Sequence, residues 1–144
     1  MKLRTGDPWM PAPRYSKTLR GIGLNLVVRD IEAALRFQRE VLAMEAVYSD
    51  PDFAVLRGYG GEFMLHADHT YDKHPLMVNG LGGPRGLGVE LRVYGRDPDA
   101  AEAAAIRLGY SVLATTLDKG HGLREAFILD GDGYCWVPGR PVEQ

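Results

Sequence analysis

Gly-Ile-Gly-Leu-Asn-Leu-Val-Val (21–28) and Gly-Leu-Gly-Val-Glu-Leu-Arg-Val (86–93) are one phrase written twice, 65 residues apart. Each is apolar and rich in β-branched residues, which predicts a strand. Each is followed by an aspartate suited to cap a helix. Asp30 precedes a stripe of Ile31, Ala34, Leu35, Val41 and Leu42, and Asp97-Pro98-Asp99 opens a second helix that Gly109 ends. Three short strands follow in both halves, at 46–48, 53–57 and 62–66 and again at 111–114, 125–129 and 134–137. Turn residues at 49–52, 58–61 and 130–133 punctuate them. Setting Gly61 on Gly133 aligns 62–65 with 134–137, an offset of 72. The chain thus reads as two βαβββ units in an α+β fold. One unit alone leaves a sheet face uncovered, so two units joining into a cupped mixed sheet is the physical expectation.

The units span 19–78 and 84–140 of a domain covering 19–144, linked by a loop over 72–86 with six glycines or prolines. Residues 1–18 carry Pro8, Pro11 and Pro13 around Trp9 and Met10. Proline fixes φ and lacks a donor, so an extended arm is expected there, docked on the body or on a second subunit.

Composition narrows the partners. With 144 residues, 45% hydrophobic and 25% charged, the chain is neither disordered nor collagen-like. It contains no apolar run long enough for a membrane span, and its first residues lack the apolar stretch of a signal peptide. The lone Cys135 excludes an internal disulfide framework and fits a reducing compartment, so a cytoplasmic protein is expected. A net charge of -2 without a basic stripe argues against nucleic acid.

The order of elements, with Leu-Val-Val-Arg-Asp-Ile-Glu-Ala-Ala-Leu-Arg-Phe (26–37), Glu-Val-Leu (40–42) and Leu-Asp-Gly-Asp-Gly-Tyr (129–134), resembles the vicinal oxygen chelate superfamily over about residues 20–140. That group includes glyoxalase I, extradiol dioxygenases and bleomycin-resistance proteins. The resemblance implies a cup that, in catalytic members, holds a divalent metal on the first and fourth strands of each unit. It places those ligands at Gly23, Leu65, Gly88 and Val137, none of which offers a donor side chain. A shift of one residue would substitute His66 for Leu65 and supply a single ligand. No cofactor is therefore expected at the usual positions; a divalent metal at a displaced site is the alternative. The two glycines are expected to open space in the cup. Relatives often carry Phe-Tyr in the first helix, where this chain has Phe37-Gln38. The stripe directs Gln38 inward, where it needs a hydrogen-bond partner.

Asn25 and Glu90 occupy equivalent places in the two first strands, on the face of Gly23 and Gly88, and are expected to face each other across the cup. A buried carboxylate there could orient a ligand or act as a base; the plainer reading is an ion pair with Arg92 or Arg124. His66, His69 and His74 lie within nine residues. They read as a polar turn or as part of a nonstandard metal site with His121. His121, in the glycine-flanked 119–125 lip, is an acid or base candidate or a solvated turn residue.

The leading reading is a small organic molecule bound in a cup lined by Asn25, Gln38, His66, Glu90, His121, Tyr134 and Trp136. Two catalytic alternatives stand beside it. One is a metal-dependent lyase, isomerase or dioxygenase with a displaced His/Glu site. The other is a cofactor-free proton-transfer enzyme with Glu90 or His121 as base. Trp9 and Met10, with the pairing habits of the relatives, lead to the expectation of a homodimer.

Overall fold

A computed structural model describes residues 1–78 and 82–143. The arm holds a short helix, α1 (Ala12–Ser16), where the prolines predicted extended chain. Pro11 and its neighbours stand at the start, where a missing N–H leaves no hydrogen bond unmade. The first unit follows as β1 (Asn25–Val28), α2 (Ile31–Glu40), β2 (Glu45–Ser49), β3 (Phe53–Gly58) and β4 (Gly61–Ala67). A 3₁₀ turn (Asp68–Tyr71) and α3 (Pro75–Val78) occupy part of the expected loop, whose residues 79–81 lie outside the described residues. The second unit is β5 (Glu90–Tyr94), α4 (Pro98–Leu108), β6 (Ser111–Asp118), β7 (Leu123–Leu129) and β8 (Cys135–Pro141). β5 begins later than the phrase 86–93 suggests because Gly86 and Gly88 take φ of 68° and 84°, outside strand geometry.

Each unit forms its own four-stranded mixed sheet, ordered β1-β4-β3-β2 and β5-β8-β7-β6. β1 runs parallel to β4, and β5 to β8; the other pairings are antiparallel. No ladder joins the sheets among the described residues. They are joined instead by one core. Leu26, Val28, Leu56 and Leu65 from the first sheet meet Leu91, Val93, Ile128 and Trp136 from the second, with α2 and α4 contributing Ile31, Leu35, Phe37, Ala101 and Ala105. Asp30 caps α2 by accepting from Ala33 N–H at 2.9 Å, and Gly109 closes α4 at φ 83°. Gln38 is 2% exposed in this core, and its Oε1 finds no partner among the described residues. No helix among the described residues is long and apolar enough to cross a membrane.

Strand register corrects the turn-based alignment. Asn25 stands beside Met64 and Glu90 beside Cys135, so Met64 corresponds to Cys135 and His66 to Val137. Leu65 corresponds to Trp136 and points into the core, 1% exposed. A one-residue slip exchanges the two faces of a strand.

Candidate functional site

With alternate residues committed to the core, the opposite face of the first sheet presents Asn25, Phe53, Val55, Met64 and His66. The arm lies over it. Tyr15, Phe53 and Val55 form a second apolar cluster with Met10, Tyr48 and Met64, and Trp9 stacks on Tyr48 at 5.3 Å between ring centres. The arm thus docks on its own chain.

Its anchor is the Asp50-Pro51-Asp52 turn. Fully buried Asp52 accepts from the backbone N–H of Leu3 at 2.7 Å and of Arg4 at 2.9 Å, and its Oδ1 lies 2.6 Å from His69 Nε2. Burial pushes this carboxyl up, but those donors outweigh it and hold its pKa at about 2. Asp50 accepts from Tyr48 O–H at 2.6 Å, from the N–H groups of Asp52 and Phe53, and from Arg4 Nη1 at 3.3 Å.

Between arm, sheet and the 3₁₀ turn lies a cavity of about 350 Å³. Its walls include Trp9, Tyr15, Phe53 and Met64, with polar atoms from Arg4, Asn25, His66 and Tyr71. Asn25 Nδ2–H donates to Tyr71 Oη at 2.5 Å, while Asn25 Oδ1 lies 2.6 Å from His66 Nδ1. The amide therefore presents an acceptor to the ring, so Nδ1 carries the proton and Nε2 keeps its lone pair. Nε2 bonds to no described residue. Burial lowers the His66 pKa and the charges of Arg4 and Lys2 lower it further; Asp50 opposes them by favouring the protonated ring, and the net effect favours the neutral one. The result is a neutral imidazole with a fixed tautomer and one free acceptor.

Of the expected lining residues, only Asn25 and His66 meet in this pocket. Glu90 does not face Asn25: it pairs with Arg92 at 3.0 Å, as the plainer reading has it, and lines a separate cleft of about 330 Å³ with Ile22, Tyr59 and Tyr94. Arg92 also donates to the buried Glu125, whose Oε1 lies 3.4 Å from His121 Nε2. Gln38 and Trp136 belong to the core rather than to a common cup, although Trp136 reaches the floor of the second cleft. The Trp136 Nε1–H donates to Asp130 at 2.9 Å. Tyr134 donates to Val27 C=O at 2.9 Å and packs so tightly on Gly86 that a Cβ there would come within 2.4 Å of its ring. Sequence reading missed Arg4, Asp52 and Tyr71, which reach the site only through contacts distant along the chain.

The metal that the resemblance implies does not fit here. Gly23 and Gly88 offer no donor, and a Cβ on either would meet nothing within 4 Å. Val137 is apolar, and Nδ1 of His66, the residue that register places opposite it, is engaged by Asn25. His69 is tied to Asp52, and His74 stacks on Tyr71 at 4.4 Å, so the three clustered histidines serve separate partners. Among the described residues no three of His, Cys, Asp and Glu converge as a metal cluster.

No family model and no curated protein matches the sequence. Solved structures match its fold. A glyoxalase/bleomycin resistance protein/dioxygenase family enzyme from Burkholderia phytofirmans PsJN superposes with TM-score 0.66 at 17% identity, covering 83% of this chain and 96% of that one. A glyoxalase-related enzyme from Fulvimarina pelagi gives 0.65 at 17% identity over 85% and 88% of the two chains. A glyoxalase/bleomycin resistance protein/dioxygenase from Nocardioides gives 0.63 at 21% over 91% and 93%. At these identities the likeness is one of fold.

Proposed function

The chain has the fold of the glyoxalase/bleomycin-resistance/dioxygenase proteins, the vicinal oxygen chelate fold, and from that premise we propose that it binds a small organic molecule in the arm-covered pocket of its first sheet, without a metal at the family's positions. The observation that carries this is the Tyr71–Asn25–His66 chain. It leaves a phenolic O–H and a free imidazole acceptor in a cavity otherwise walled largely by aromatic and apolar side chains. Such a combination gives stacking area and a few fixed polar contacts. A fragment library screened by NMR tests it. Hits should shift the resonances of Asn25, His66 and Tyr71; hits confined to Glu90, Arg92 and Glu125 would overturn the reading. Because burial lowers the His66 pKa, binding that uses its acceptor should persist through the ordinary histidine range and weaken only at more acidic pH, where the ring protonates.

Proton transfer is the second reading, favoured by the fixed tautomer of His66, which takes the role of base that the sequence assigned to Glu90 or His121. The protein is further proposed to be a cytoplasmic homodimer. Trp9 stacks on Tyr48 and packs on Tyr15 of its own chain but stays 39% exposed, so it is a weaker argument for a dimer than the sequence alone suggests. Support comes from equivalent exposed residues ahead of the edge strands β1 and β5: Ile22 and Leu24, Leu87 and Val89. Sedimentation should show a dimer at micromolar concentration, and Ile22→Glu should dissociate it.

A further inference from the structure

Resting on that pocket, we infer that its ligand is an uncharged aromatic molecule that donates an O–H or N–H hydrogen bond to His66 Nε2. The direction follows from the bonds behind the ring. Asn25 gives its Nδ2–H to Tyr71 at 2.5 Å and turns its Oδ1 to His66 Nδ1 at 2.6 Å. The ring proton therefore stays on Nδ1, and Nε2 can only accept. That nitrogen meets no donor among the described residues. It is not sealed from solvent as Arg4 Nε and Gln38 Oε1 are, and His66 lines the cavity. A molecule in the cavity thus finds an accessible acceptor that no described protein group answers.

The walls disfavour an ion. The positive charges of Lys2 and Arg4 are offset by Asp50 and Asp52, which lie 3.3 and 3.6 Å from Arg4 Nη1. His66 itself is neutral, held so by burial and by the two cations against Asp50. With the wall charges balanced, an ionic ligand would give up its hydration without a counter-charge. An uncharged ring escapes that cost and gains contact with Trp9, Tyr15 and Phe53. A cavity of about 350 Å³ suits a single or fused ring.

Two matched pairs test this by calorimetry and NMR on the full chain: 4-ethylphenol with 4-ethylanisole, and indole with 1-methylindole. In each pair methylation removes the donor and keeps the ring. The donor should bind about tenfold more tightly, since the methylated compound leaves Nε2 desolvated and unpaired. A preference confined to one pair identifies the donor as O–H or as N–H. The nitrogen NMR spectrum of His66 should show the proton on Nδ1, with Nε2 shifting on titration with the donors alone. His66→Phe keeps a ring and loses the acceptor, so the preference should vanish while the Trp9 indole resonance reports a docked arm. Acid should erase the preference without any substitution. Burial, Lys2 and Arg4 lower the His66 pKa against Asp50, so the loss falls below the ordinary histidine range, and Asp52, at about 2, still anchors the arm there.

Equal binding within both pairs, a proton on Nε2, or a preference that survives His66→Phe with the arm docked overturns the donor assignment. Binding of 4-hydroxyphenylacetate or tyramine about tenfold more tightly than 4-ethylphenol overturns the choice of an uncharged ligand. If the compounds still shift Asn25, His66 and Tyr71, the pocket reading stands without either. Failure of both donors to bind up to about 10 mM overturns the inference. Fragment hits confined to the second sheet would overturn the pocket reading as well.

Discussion

The two sheets repeat one backbone plan, yet their core-averted faces differ in whether their polar groups are satisfied. On the second sheet, Glu90, Arg92, Glu125 and His121 form an ionic chain that answers its own charges, with Glu90 and Tyr94 exposed. On the first, the arm encloses the face, and Arg4 and His66 each retain an unanswered group. A binding site requires such unsatisfied valence inside an enclosure; charge alone does not make one. Duplication supplied the frame twice, and the arm made one copy into a pocket.

Removing the arm should erase the contrast and carries the largest expected effect. Deleting residues 1–18 uncovers Phe53 and Val55 and loses the packing of Trp9, Met10 and Tyr15. The cost should be about 4–6 kcal/mol by denaturant unfolding, from several apolar side chains returned to water. A loss under about 1 kcal/mol would mean that the arm contributes little to the fold.

Acid should detach the same segment without cutting it. The folded pKa of Asp52 lies at about 2, below its unfolded value, so its contribution is complete above about pH 4 and fades as pH falls towards 2. The Trp9 indole resonance should move in that window, and Asp52→Asn should loosen the arm at neutral pH. An arm unchanged in that variant would shift the anchor elsewhere.

The second sheet can be probed through one arginine with two carboxylates. Glu125 is buried and Glu90 about half exposed. Glu125→Gln should cost about 2–3 kcal/mol, because it leaves Arg92 with a weakened buried partner. Glu90→Gln should change stability by less than about 1 kcal/mol. Equal costs in urea unfolding would contradict this ranking. Smaller still, Gln38→Met should stabilise the core by about 1 kcal/mol, since it removes an orphaned amide oxygen at similar volume; a lower melting temperature would show that the amide has a role.

The frame was legible because duplication, alternation and capping are local signals: the paired phrases at 21–28 and 86–93, Asp30, and Gly109. The fourth-strand positions were less so. Aligning turn glycines put Leu65 opposite Val137, whereas the backbone ladders pair His66 with that place. The turns before β4 and β8 differ in length, so aligning their glycines misplaces the strands by one residue, and that slip decides which side chain reaches the pocket. Asn25 could be found by alternation from Gly23. Arg4 and Tyr71 could not, since their roles arise from docking across 46 or more residues of sequence.

The common core also bears on how the chain folds. Leu65 of one repeat and Trp136 of the other belong to a single apolar cluster, with α2 and α4 between them. Neither repeat can bury its helix completely without its sibling, so the halves are not autonomous folding units. Despite its duplicated ancestry, the chain should melt as one cooperative block, with calorimetric and van't Hoff enthalpies in agreement.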